Sequence, residues 1–202
     1  MKFLKIILLS AGLFGVEKDF AQMAHPNIVA LSWEIAFPTG NDFLSKTSFS
    51  GGRFEYRYMV QPNFSAGLAV SWNSFDQYFG TRTYHTNNSA VTTDMVREIY
   101  TAPITAIFHY YPSARGKMLK PFIGIGLGAQ YAEQNTYFNI YETTANNWGF
   151  VVRPEIGGLL RVGRGAAILI SGSYNYATNK NSSFNISSLQ QFAINIGIAG
   201  LF

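Results

Sequence analysis

The chain has 202 residues and a formal net charge of +4, a length that suits one domain or a small barrel. Hydrophobic residues make up 48% and charged residues only 13%, about half the charged share of a soluble domain, which disfavours an ordinary soluble surface. The chain has no cysteine, which excludes disulfides, thiolate metal sites, cysteine catalysis and a lipid anchor on cysteine, and its dispersed Lys and Arg disfavour nucleic-acid binding.

The amino terminus has the organisation of a secretory signal. Lys2 and Lys5 precede an apolar run over residues 6–16, which is about the length of a signal core. We predict a signal peptide over 1–21, cleaved after Ala21, and a single β-barrel domain over 22–202. The alternative, a membrane-anchoring helix, is disfavoured because the run is too short to span a bilayer.

Eight later segments alternate between two kinds of residue with a period of two, which is typical of strands. One face of each is large and apolar, and the other is small or polar. The predicted strands cover residues 28–38, 49–60, 64–75, 99–111, 121–133, 148–162, 166–178 and 189–202.

The last of these segments best defines the environment. Phe192, Ile194, Ile196 and Ile198 share one face, whereas the other face has small residues and amides but no charge. That combination suits a crowded barrel interior with the apolar face turned to lipid. A closed barrel also satisfies every backbone polar group within a membrane.

The connections between the predicted strands alternate between long and short. The long ones, residues 39–48, 76–98, 134–147 and 179–188, are polar and are predicted to be extracellular loops. The sequence therefore predicts an all-β, eight-stranded antiparallel transmembrane up-and-down β-barrel with both termini in the periplasm. Aromatic residues near the strand ends on the apolar face predict girdles at the membrane boundaries.

The charges within the strands all fall on the predicted interior face. Because eight strands leave room only for side chains, we expect these charges to pair with one another and to form no wide pore. A narrow polar path or a gated plug is the alternative. The predicted interior charge network is Glu34, Arg53, Glu55, Arg57, Arg153 and Glu155.

The histidines offer no convincing chemistry. His25, His85 and His109 share no metal-ligand spacing, so we expect no metal, no cofactor and no catalytic residues. His85 lies in a predicted outer loop without a well-placed serine partner. It is nevertheless the residue on which a lipid-modifying enzyme, the alternative function, would depend.

Two local features bear on the strands. The alternating Gly124, Gly126 and Gly128 are predicted to make room for long Arg and Glu side chains inside the barrel. Pro103 lies on the interior face of its segment and predicts a local bulge, since proline cannot donate to a strand ladder.

The stretches 120–128 (KPFIGIGLG) and 154–158 (PEIGG) and the ending Gly200-Leu201-Phe202 resemble the small outer-membrane β-barrel family, which includes the OmpA transmembrane domain and OmpX-like proteins. Asn195, Gly197 and Phe202 match that family's carboxy-terminal assembly signal. The resemblance implies the bacterial outer membrane, insertion by its assembly machinery, and contact with its lipid and lipopolysaccharide. It also implies a structural or interaction role through extracellular loops, with a lipid-modifying enzyme (deacylase or acyltransferase type) or a narrow channel as alternatives.

Overall fold

The computed structural model describes residues 27–40, 43–86, 89–112, 118–138, 141–163, 165–182, 184 and 186–202. The predicted signal peptide, 1–21, lies outside these residues. The described chain forms β1 (Asn27–Thr39), β2 (Ser48–Gln61), β3 (Phe64–Thr86), β4 (Ser89–Tyr110), β5 (Leu119–Phe138), β6 (Tyr141–Arg161), β7 (Ala166–Ala177) and β8 (Leu189–Leu201). No helix among the described residues is long and apolar enough to cross a membrane.

The strands form a closed antiparallel barrel in chain order. Each strand pairs with the next, and β1 closes the ring by pairing with β8 from Ile28 opposite Leu201 to Thr39 opposite Gln190. This confirms the predicted eight-stranded up-and-down barrel. We call the end that holds Asn27 and Phe202 the terminal end and the opposite end the distal end.

The barrel exposes its apolar face and buries its polar one. Leu31 is 61% exposed and Ile198 is 69% exposed, whereas Glu34 and Asn195 are fully buried. Tyr100 and Tyr110, ten residues apart on the outer face of β4, lie in two aromatic bands. Their separation is about 33 Å along the strand and about 25 Å along a barrel axis tilted by about 40°, the height of an apolar membrane band.

Two predicted loops are wrong. Most of 76–98 belongs to β3 and β4, and most of 134–147 belongs to β5 and β6. These strands run 20 to 23 residues, against 12 to 14 for the other four. The two hairpins therefore continue well past the apolar band. The alternation of large apolar residues stops at its edge because the outer face there meets water instead of lipid.

The predicted bulge at Pro103 is also wrong. Pro103 lies opposite Gln130 in an unbroken β4–β5 register, and the β3–β4 register is the same on both sides of it. The register shifts occur elsewhere, at Glu34/Ala36, Met59/Gln61 and Phe79/Arg82. A strand that pairs on both sides tolerates this proline at the cost of a missing donor, without an inserted residue.

The interior is filled in three layers. A buried apolar cluster lies at the distal end and includes Phe43, Leu44, Phe75, Ile99, Ile186 and Leu189. A second closes the terminal end and includes Met59, Tyr111, Phe122, Leu159, Leu169 and Leu201. Between them lie the buried charged and amide side chains.

Candidate functional site

One half of the interior charge network joins β1 to β6. The Arg153 guanidinium forms an ion pair with the Glu34 carboxylate, and both side chains are buried. Arg153 also donates to Ser71 Oγ at 3.3 Å, and Asn73 Nδ2 donates to Glu34 Oε1 at 2.7 Å. The carboxylate therefore has both an ionic partner and an amide donor, which a buried charge requires.

The other half joins β2 to β6. Arg53 Nη2 donates to Glu155 Oε2 at 2.9 Å, and Arg57 Nε donates to Glu55 Oε2 at 2.9 Å. Arg53 Nε lies 3.4 Å from Glu55 Oε1, which links the two pairs. All six predicted residues are thus buried in ion pairs, and the three Arg and three Glu balance in charge.

The sequence interpretation did not place His109 and Tyr111 in the interior charge network. His109 Nε2 lies 3.5 Å from Glu155 Oε2, and Tyr111 Oη accepts a hydrogen bond from Arg57 at 3.2 Å. The strand pattern did hold a signal for His109, because it alternates with the outward Phe108 and Tyr110 and therefore had to face inward.

The glycines of β5 serve a second purpose beside the one predicted. A Cβ at Gly124 would lie 2.3 Å from His109 Cδ2, and one at Gly128 would lie 2.0 Å from the Ile104 carbonyl oxygen. Gly124 and Gly126 lie opposite Glu155 and Arg153 of β6, and a Cβ at Gly126 would lie 3.4 Å from Arg153 Cβ. The glycines therefore leave room beside long charged side chains, and they also let β5 and β4 approach closely and admit the imidazole.

Among the described residues, Glu55, His109 and Glu155 form one group with ligand atoms within 4.8 Å of one another. Carboxylates and imidazole are common metal ligands. Here both carboxylates already pair with Arg53 or Arg57, so an entering cation would have to displace a guanidinium. The chemistry of this group favours ion pairing within the protein over metal binding.

The three residues of the predicted assembly signal occupy different positions in β8 and at its end. Asn195 is buried and opposite Glu34, and a Cβ at Gly197 would lie 2.2 Å from the Leu31 carbonyl oxygen. Phe202 is exposed, and its backbone exchanges hydrogen bonds with Asn27 at 2.9 and 3.1 Å. The terminal residue thus completes the β1–β8 seam.

The distal mouth is covered by side chains from two connections. Phe43 lies between β1 and β2, Phe184 lies between β7 and β8, and their ring centroids are 5.1 Å apart. The Arg97 guanidinium lies 4.9 Å from the Phe43 ring centroid and donates to the Phe43 carbonyl oxygen at 3.2 Å. These contacts close the polar interior from the distal side.

Above the mouth, β3 to β6 continue as a projecting sheet, which we call the distal sheet (residues 75–86, 89–100, 131–138 and 141–150). Its pairs extend from Phe75 opposite Ile99 to Thr86 opposite Ser89, and to Phe138 opposite Tyr141. The outer face of its β4–β6 part has carboxylates but no Lys or Arg; these carboxylates are Asp94, Glu98, Glu133 and Glu142.

Comparisons with known proteins agree with this geometry. The model of the outer membrane protein beta-barrel domain matches residues 6–200. No curated relative matches the sequence.

Three solved structures with a similar fold are distant in sequence. A major outer membrane protein from Thermus thermophilus has a TM-score of 0.59 at 9% identity, covering 88% of this chain and 100% of that one. Neisserial surface protein A has a TM-score of 0.56 at 15% identity, covering 88% and 97%. The attachment invasion locus protein Ail of Yersinia pestis has a TM-score of 0.54 at 11% identity, covering 89% and 100%. These likenesses show the fold alone. The family match over residues 6–200 establishes that the chain belongs to the outer membrane protein beta-barrel domain family of the bacterial outer membrane.

Proposed function

We propose that this protein acts by presenting its distal sheet and loops outside the cell, in a structural or interaction role, and neither conducts nor catalyses. One observation carries the proposal: the interior is filled, whereas the longest strands project beyond the apolar band. Barrels of this kind have short periplasmic turns, so the distal end is the extracellular one. From Trp72 to Thr86, β3 adds about 46 Å of strand above the upper aromatic band.

The layered interior argues against a channel. Ions would have to cross an apolar cluster at each end and a layer of paired charges between them. Hydrophobic constrictions of this kind block ions by excluding water. The proposed role therefore lies on the outer surface of the barrel.

The position of His85 argues against a lipid-modifying enzyme. Its backbone lies near the tip of the β3–β4 hairpin, opposite Ala90. Thirteen residues separate it from Trp72 in the upper aromatic band, which is about 43 Å along the strand. A group at that height is far from the acyl chains and phosphates of membrane lipid.

The outer surface of the barrel also suggests partners within the membrane. We propose that outer-membrane lipid and lipopolysaccharide contact the apolar band and its aromatic rings, which favour the membrane boundary. Insertion would depend on the outer-membrane assembly machinery. No catalytic, metal or cofactor role is proposed for any residue.

Shortening both long hairpins tests this function. An Asn-Gly turn would join Gln77 to Arg97 and Ala132 to Asn147. Each is a pair in the existing register whose backbone N–H and C=O groups face each other, so both hairpins keep a suitable two-residue connection. Cells that express the intact protein are expected to adhere to immobilised lysozyme, a basic protein, more than to serum albumin. Cells with the shortened barrel are expected to lose that adhesion.

The controls separate the competing functions. Unboiled samples of the shortened variant should still migrate as a folded barrel. Equal adhesion of both strains, with detergent sensitivity in the shortened one, would indicate a purely structural role. A lipid A mass change that requires His85 would indicate an enzyme.

A further inference from the structure

The two long edges of the distal sheet are unequal. One edge is β3, whose pairing with β2 ends at Ser74, and the other is β6, whose pairing with β7 ends at Val151. An unpaired strand edge presents rows of free N–H and C=O groups, and proteins usually protect such edges with charges, bulges or covering loops. The β3 and β6 edges differ in how many of these protective features they have.

The β3 edge carries all three kinds of protection. The β1–β2 connection covers its base, where the Ser45 N–H donates to Gln77 Oε1 at 2.9 Å. Lys46 pairs with Asp76 at 2.8 Å. Farther out, the register with β4 shifts between Phe79 and Arg82, which marks a bulge or irregularity.

The β6 edge is less protected along its described residues. Its register with β5 is continuous from Ala129 opposite Phe150 to Phe138 opposite Tyr141, so it has no bulge there. Its base is covered: the Thr178 N–H donates to the Phe150 carbonyl, and the Phe150 N–H donates to Thr178 Oγ1, both at 2.9 Å.

The direction of the free backbone groups follows from those bonds. Phe150 turns its N–H and C=O away from β5, and in an antiparallel strand this direction recurs at every second residue. The N–H and C=O groups of Asn146, Thr144 and Glu142 therefore face the open side, where the described part of the chain provides no paired strand. All three side chains are exposed.

A second copy in the same membrane fits this edge poorly. Two copies inserted alike have β6 strands that run in the same direction, so they cannot form the antiparallel pair that a two-fold contact of identical edges would need. Pairing β6 with the β3 edge of a neighbour would meet the bulge and the covering connection. The better occupant is an extended segment of a different protein.

The charge of the surrounding face selects the occupant. Glu142 lies on the edge strand, Glu133 lies one strand inward, and β4–β6 have no Lys or Arg on this face of the distal sheet. Opposite charges on neighbouring strands attract, and like charges repel. We propose that the β6 edge at residues 142–146 binds a basic, extended segment of another protein at the cell exterior, as an added strand.

This inference rests on the proposed interaction role and is tested separately with Thr144→Pro. Proline removes an N–H that faces only the open side and leaves the β5–β6 ladder intact, as edge strands allow. Thr144→Val is the matched control, because it keeps the N–H and the strand preference. The probes are three fluorescein-labelled decapeptides, added to the folded full-length barrel in micelles. In each peptide Val or Thr alternates with one other residue, which is Lys in the first, Ser in the second and Glu in the third.

Fluorescence polarisation should show that the Lys peptide binds the barrel most tightly, the Ser peptide less tightly and the Glu peptide least tightly. Thr144→Pro should lower the affinity for the Lys peptide at least about tenfold, because a hydrogen bond is lost and the ring blocks the approach of the peptide. Thr144→Val should keep the affinity for that peptide within about twofold of the parent. The inference is wrong if none of the three peptides binds or if Thr144→Pro binds as the parent does. A parent dimer that Thr144→Pro makes monomeric would identify a second copy as the occupant and overturn the proposal.

Cell adhesion distinguishes the two proposals. If Thr144→Pro cells adhere normally and shortened-hairpin cells do not, the interaction role stands and edge pairing fails. If neither change affects adhesion, the interaction role itself fails.

Discussion

At the scale of single residues, Arg153 shows how a charge is kept inside a membrane barrel. It is buried, pairs with Glu34 and also donates to Ser71. Removing two such charges from water costs several kcal/mol per ion, and the pair repays this only while both partners are present. The pair is therefore a requirement of the fold more than a source of extra stability.

Replacing one partner should be more harmful than replacing both. We expect Arg153→Met to lower the free energy of unfolding by about 3–5 kcal/mol, because it leaves the Glu34 carboxylate buried without a cation. The double variant Glu34→Gln/Arg153→Met should recover most of that loss, since a neutral amide can still accept the Asn73 hydrogen bond. Urea titration in micelles, followed by tryptophan fluorescence, measures both.

Lys46→Met is the matched surface control for this experiment. Lys46 pairs with Asp76, but both side chains are more than half exposed, so little change is expected. Single variants at Arg153 and Glu34 that match the parent in stability would contradict the role given to the pair.

Which residues face inward could be predicted from the sequence, but which residues meet could not. The period of two placed all six charges on one face. The partners lie on strands far apart in the chain, and barrel register decides whether Arg153 meets Glu34 or Glu55. His109 was not assigned to the network because a lone histidine among apolar neighbours carries no spacing that identifies its partner.

At the scale of an element, β8 joins the two ends of the chain. Its residues pair with β1 along the whole seam, and Phe202 bonds with Asn27 at the terminal end. The ring of Phe202 is exposed on the outer surface, where it is free to contact lipid or the assembly machinery.

Changing Phe202 should affect assembly more than stability. We expect Phe202→Ala to reduce several-fold the fraction of protein recovered as a folded, heat-modifiable barrel from the outer membrane. Phe192→Ala, which also removes an exposed ring from β8, is the control and should retain most of that fraction. Equal recovery of the two variants would argue against an assembly signal at the carboxy terminus.

The strands were predictable only where lipid defines one face. Within the apolar band, Ile194, Ile196 and Ile198 of β8 identify the outer face without ambiguity. Above it, residues such as Thr92, Thr143 and Asn146 meet water, so a two-residue period no longer distinguishes strand from loop. The sequence therefore predicted the number and order of the strands. It did not predict how long β3 to β6 are or that they project beyond the apolar band.

At the scale of the whole molecule, the filled interior predicts that the barrel does not conduct ions. Purified protein in planar bilayers should give no regular conductance steps, because an apolar cluster closes each end. The double variant Phe43→Ser/Leu44→Ser, which alters only the distal cluster, should also be silent, since the terminal cluster remains. Reproducible steps from the parent protein would contradict the filled interior.

The ion pairs also constrain when the interior charges can be buried. Arg53 and Glu155 are 102 residues apart in sequence, and Arg153 and Glu34 are 119 apart. Neither contact forms until early and late strands meet, so the six charges remain hydrated through most of synthesis and insertion. Sealing of the β1–β8 seam would then coincide with the burial of these charges. An assembly intermediate with an open seam would be a wet, half-enclosed groove, and its completion a single late step.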